Sequence, residues 1–224
     1  MAQRQVEWSG SGQPMPEYTR PTIKAREFRD ESGAVIPYGT RWAGSPPDDS
    51  YSPVNNPERF APLQTMADAL IEHLRAAYRA EIAALPRSPT TSATTKLIAV
   101  TPDQADAAPL VFRFTDFPGV EIRAGVRYNA AFPACGCDAC DERWEDAVDA
   151  MERLVFAVAD GRFSERIVLL PRSAWKAVVE HRIETLGGAV QSGVAHGVQP
   201  DSALRNDAAR LDRLPGARWQ PWTR

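Results

Sequence analysis

All three cysteines of this chain fall within six residues, as Cys135-x-Cys137-x-x-Cys140 in the stretch FPACGCDACDERWEDAVDAMERLVFAVADG. A thiolate is a nucleophile, a redox group and a soft metal ligand, so three in one turn mark the place where chemistry can sit. Four uses compete. Cys135 and Cys137 flank Gly136 in a tight turn and Cys140 follows closely, a spacing that lets three sulfurs converge on one metal ion. Zinc takes four ligands, with sulfur at about 2.3 Å. The fourth would come from His73, His181, His196 or the carboxylate of Asp138, with water as a further option. An iron–sulfur cluster has less support in the spacing.

The second use is thiol redox chemistry, because Cys137-Asp-Ala-Cys140 at a helix start is a placement that stabilises a thiolate. Asp138, Asp141 and Glu142 crowd the same turn, so they are expected to raise the cysteine pKa values, and the parallel βαβ beginning of thioredoxin-like chains is missing. The third use is a disulfide, which leaves one thiol over. The fourth is three free thiols packed as small apolar groups. Structural use is expected ahead of catalysis, and zinc is the cofactor to expect if there is one.

The elements around the turn read as follows. A helix is expected from Asn56-Pro57, with Asn as cap and Pro in the first turn, continuing to just before Pro86. Leu63, Met66, Leu70, Ile71 and Leu74 give it one apolar stripe. Three strands follow at Lys96–Val100, Leu110–Thr115 and Val120–Tyr128, the last alternating between Val120, Ile122, Ala124, Val126 and Glu121, Arg123, Arg127. A second amphipathic helix is expected directly after the cysteines. Asp138 is its candidate cap, Trp144, Val148, Met151, Val155 and Val158 form its buried stripe, and Gly161 is its stop. Apolar runs at Ile167–Leu170, Ala177–Thr185 and Ala189–Ala195 read as two or three further strands, and a short helix from Ser202 precedes a tryptophan-bearing tail expected to dock. The fold class is α+β: two layers, an antiparallel sheet of about five strands, two main helices on one face and a short C-terminal helix.

Residues 1–56 hold seven of the 19 prolines and no helical period. They read as an extended arm on a single domain over 57–224, with a short hairpin around Ser32-Gly33, anchors at Tyr38, Trp42 and Tyr51, and a disordered tip. No apolar run approaches the roughly 20 residues of a membrane-spanning helix, and the N-terminus lacks a signal-peptide pattern, so a cytoplasmic protein is expected. A net charge of −3 speaks against nucleic acid as a partner. The helix–three strands–helix order is that of double-stranded-RNA-binding domains, but Asp138, Asp141, Glu142, Glu145 and Asp146 stand where those domains present basic residues. Arg113, Arg123 and Arg127 read as a solvated sheet face.

No G-x-S-x-G, HExxH, Walker loop or GxGxxG follows the required context. The stretches PYGTRWAGSPPDDSYSPVNNPERFAPL and FPGVEIRAGVRYNAAFPACGCDACDE resemble an uncharacterised family of actinobacterial proteins, a domain of unknown function. The resemblance runs from about Phe28 to Arg166 and implies a bacterial cytoplasmic protein without assigning any activity or site residue. The reading is therefore a non-enzymatic α+β domain with a structural cysteine turn. Its alternatives are a protein-interaction module of regulatory or immunity type, with a protein partner, and a thiol-redox protein.

Overall fold

The structure, a computed structural model, describes residues 17–24, 26–86, 93–170 and 176–224. The expected tip of the arm lies outside these residues, as does most of the Ser88–Thr95 loop. The elements run α1 (Pro62–Ala77), β1 (Ala80–Ala84), β2 (Thr94–Pro102), β3 (Leu110–Thr115), β4 (Val120–Ala124), β5 (Tyr128–Phe132), α2 (Trp144–Ala159), β6 (Phe163–Leu169), β7 (Ala177–Glu184), β8 (Val190–Val198) and α3 (Ser202–Leu211).

Strands β1 to β5 form an antiparallel meander in chain order, and β6 to β8 form a second, three-stranded antiparallel sheet. The α+β class stands, but the single five-stranded sheet becomes two sheets. The reason is the placement of α2, which packs on both β5 and β7, so the C-terminal strands meet this helix and pair with one another. In the first sheet, the register sets Leu110, Phe112 and Phe114 of β3 opposite Ala124, Ile122 and Val120 of β4, and all six are buried. Alternation thus puts one apolar face against α1 and α2, which also pack on each other. On the other face Arg113 pairs with its cross-strand partner Glu121, Arg123 is exposed, and Arg127, in the turn after β4, pairs with Asp207 at 2.5 Å.

The first helix stops at Ala77, not before Pro86. Ala80–Ala84 has helical composition, yet it pairs with β2 from Ala80–Pro102 to Ala84–Ile98. Tertiary pairing overrides propensity here. Asn56 is also not a side-chain cap: Pro57–Phe60 makes a separate 3₁₀ turn, and Asn56 takes φ +50. The stop of α2 follows expectation. Gly161, at φ +68, donates to the Val158 carbonyl and Arg162 donates to that of Ala157, the paired C-terminal bonds of a Schellman ending.

The tail docks as expected. Trp219 and Trp222 are buried, the Trp222 indole donates to the Ala108 carbonyl at 3.0 Å, and Gln220 donates its amide to Asp106. The arm hairpin also forms, with Ile36 donating to Phe28 and Gly33 at φ +84. Of the arm's expected anchors, Tyr38 and Trp42 engage the core while Tyr51 stays exposed.

Candidate metal centre

The cysteines occupy the corner between β5 and α2. Cys137 is buried, Cys135 half-buried and Cys140 exposed, and all three are free thiols. Their sulfurs lie within 4.8 Å of one another, and the Cys135 thiol donates to the Cys137 sulfur at 3.3 Å. Gly136 is needed between them, because a Cβ there would come 2.6 Å from the ring of Phe117.

The surrounding acids do not crowd the sulfurs as their sequence positions suggest. Asp138 is buried and is not the cap of α2, which begins six residues later with Arg143 at the cap position and no side-chain cap. The Asp138 carboxylate instead accepts from the Asn55 amide at 3.0 Å and from Asn55 Nδ2 at 2.5 Å, and pairs with Arg41 at 3.3 Å. Asp141 accepts the Arg41 amide at 2.8 Å. Glu142 accepts the amides of Ala134 and Cys135 at 3.0 and 2.9 Å. Each carboxylate therefore has a cationic or N–H partner of its own. Accordingly the Cys137 thiol lies below its ordinary range, held down first by the hydrogen bond from Cys135 and then by the Cys140 amide and thiol. The Cys140 thiol is pushed up to about 12, because it donates toward Cys135 and Cys137 and would be the second charge in the cluster.

The arm clamps this corner from outside. Asp138 and Ala139 donate their amides to the carbonyls of Pro53 and Ser50, both at 2.9 Å. The Trp42 indole donates to the Asp138 carbonyl at 3.1 Å. Arg59, itself buried, donates from Nη2 to the Gly136 carbonyl at 3.0 Å and from Nη1 to the Asn55 carbonyl, with its guanidinium over the rings of Tyr38 and Phe60. Sequence reasoning missed Arg41, Asn55 and Arg59. A signal was there: the two stretches that carry the family resemblance are the ones that meet at this corner.

Among the described residues, the cluster of metal-capable side chains contains these three cysteines and no histidine or carboxylate. His73, on α1, packs edge-on against the rings of Tyr18, Tyr78 and Phe156. His181, on β7, lies against Tyr128, and His196 is exposed on β8. Burial lowers the pKa of both His73 and His181 below 6.5. An unfolded chain therefore takes up these protons at a higher pH than the folded one. The stability they confer is complete above the unfolded value and declines as pH falls from about 6.5 toward the folded values. Urea unfolding of His73→Gln is expected to show a smaller stability loss between pH 7.5 and 5.5 than the parent. An equal loss in both would show that His73 does not contribute.

A family model described as a family of unknown function, DUF6226, matches residues 24–224. The chain belongs to DUF6226. The match extends beyond the stretch from Phe28 to Arg166 that carried the resemblance, and takes in β6 to β8, α3 and the docked tail. Both the clamp residues and the cysteine corner lie within the DUF6226 match. No curated protein and no solved structure matches the chain. Among the described residues, no helix is long and apolar enough to cross a membrane.

Proposed function

We propose that this DUF6226 member is a non-enzymatic domain in which Cys135, Cys137 and Cys140 together hold one thiophilic metal ion, with zinc the best match, as a structural fastening. The observation that carries this reading is the convergence of three sulfurs within 4.8 Å. In a tetrahedral zinc site with bonds of about 2.3 Å, neighbouring sulfurs stand roughly 3.8 Å apart, so the corner is close to a receiving geometry. Water completes the coordination beside exposed Cys140, in place of His73, His181, His196 or Asp138. A bound cation would deprotonate all three thiols and replace their mutual hydrogen bonds with metal bonds. In this reading residues 57–224 form one domain and 1–56 an arm buckled onto it, the buckle being the metal-braced corner.

Protein purified without a histidine tag is expected to carry one zinc per chain by elemental analysis. Cys137→Ser is expected to lose it, and chelation is expected to lower the thermal midpoint by about 10 °C. Absence of stoichiometric zinc or iron, together with an unchanged midpoint on chelation, would refute the metal.

A further inference from the structure

A cleft of about 640 Å³ lies where the arm crosses the first turns of α1 and α2. This size falls within the range of small-molecule sites. Its walls include Phe28, Ile36 and Tyr38 from the arm and Trp144 from α2, two rings and an aliphatic chain facing an indole. The charges around it are unevenly spent. Glu142 is engaged by the amides of Ala134 and Cys135, Glu145 pairs with Arg143 at 3.5 Å, and Glu27 with Arg29 at 3.1 Å. That leaves Glu58 as the one lining acid with neither an ion-pair nor a side-chain hydrogen-bond partner among the described residues, against Lys24 and Arg26 on the arm.

Two further features favour an anion. The buried side chain of Arg59 lines the cleft, and while Nη1 and Nη2 are taken by carbonyls, Nε has no hydrogen-bond partner among the described residues. A buried N–H left unpaired is destabilising, and an acceptor would recover that loss. The first turn of α2, a helix of 16 residues, opens here through Trp144 and Glu145; no side chain caps its free amides, and of its two acids, Glu145 and Asp146, Glu145 is held by Arg143.

We propose that this cleft binds a small amphipathic anion, a carboxylate or phosphate carried on an aromatic or branched aliphatic body. The head group meets Arg59 Nε and the start of α2, Lys24 and Arg26 supply the surrounding positive field, and the body lies between Tyr38 and Trp144. This site stands on residues other than the three cysteines and does not require a metal to be bound.

The probe for a first test is 8-anilinonaphthalene-1-sulfonate, titrated by fluorescence and by thermal unfolding of the full chain. One molecule per chain is expected to bind and to raise the thermal midpoint, as a ligand of the folded state must. The uncharged N-phenyl-1-naphthylamine, and the probe itself with the Lys24→Glu/Arg26→Glu variant, are each expected to bind about tenfold more weakly, equivalent to about 1.4 kcal/mol. Thr65→Trp, which fills the cleft from an exposed position on α1, is expected to abolish binding while leaving the unliganded midpoint in place. Displacement by 1-naphthylacetate or by 1-naphthyl phosphate supports the proposal and tells the two head groups apart. A lowered midpoint, equal affinity for the uncharged compound, indifference to both variants, or displacement by neither anion overturns it.

Discussion

Glu165→Gln is expected to lower the stability of the protein by about 3 kcal/mol, and the thermal midpoint by about 10 °C. The Glu165 carboxylate is buried on β6 and accepts four N–H donors. These are the backbone amides of Val126, Arg127 and Tyr128, at 2.7 to 2.9 Å, and the Trp219 indole at 3.1 Å. One side chain thereby ties the turn between β4 and β5 to the second sheet and to the C-terminal tail. The turn is shaped for it: Gly125 stands at φ +61, and a Cβ there would collide with the carboxylate at 2.0 Å. Burial pushes the Glu165 carboxyl up, while the four donors pull it down. Glutamine preserves the volume but turns an NH₂ group toward N–H donors, leaving at least one of them buried without an acceptor. The substitution therefore separates hydrogen bonding from packing. If chemical denaturation gives Glu165→Gln the parent's stability, the carboxylate fills space and nothing more. Glu165→Ala, which removes every acceptor, is expected to cost about 4 kcal/mol, and an alanine variant milder than the glutamine one would also contradict the account.

The second large effect is expected at Asp138. Asp138→Asn should cost about 3 kcal/mol and release the arm to protease, with cleavage after Arg41 many times faster than in the parent. The side chains of Asp138 and Arg59 are each only 3% exposed, and they stand 3.9 Å apart. Removing one charge from a buried pair leaves the other uncompensated, and this loss exceeds what the pair contributes at a surface. Asparagine also presents an NH₂ group where the Asn55 amides now donate. The arm's other attachment offers a contrast. Arg20 pairs with Asp149 and Glu152 on α2, but its side chain is 40% exposed, so Arg20→Ala is expected to cost under about 1 kcal/mol. Equal trypsin sensitivity of the two variants, or a stable Asp138→Asn protein, would show that the corner does not hold the arm.

These two residues show where the sequence was readable. Asp138 reads in sequence as a helix cap, because a short acid just before an amphipathic stretch has that local meaning. Its partners Asn55, Arg59 and Arg41 lie about 80 to 100 positions earlier, and no periodicity links them to it. Glu165 carries no local signal at all. In sequence it is the middle of three consecutive polar residues, Ser164-Glu165-Arg166, ahead of the expected Ile167–Leu170 strand, and its four donors come from the turn after β4, the first residue of β5 and the tail. The acids beside the cysteines follow the same rule. Proximity in sequence suggested repulsion of thiolates, whereas each carboxylate is bound by a partner of its own.

The sequence by itself determined the α+β class, the buried stripes of α1 and α2, the Gly161 stop, the alternation of β3 and of Val120–Ala124 (the expected strand to Tyr128 is broken by the turn at Gly125, beyond which β5 begins), and the clustering of the only three thiols in the chain. All of these are encoded within a few residues, through periodicity, capping and turn conformations. The tertiary structure alone decided that Ala80–Ala84 is a strand, that the strands divide into two sheets around α2, and that no histidine or acid joins the sulfurs among the described residues. Each of those outcomes depends on which distant group supplies the missing hydrogen-bond partner or charge. Local sequence states that a buried polar group needs a partner, and only the folded chain brings that partner to it.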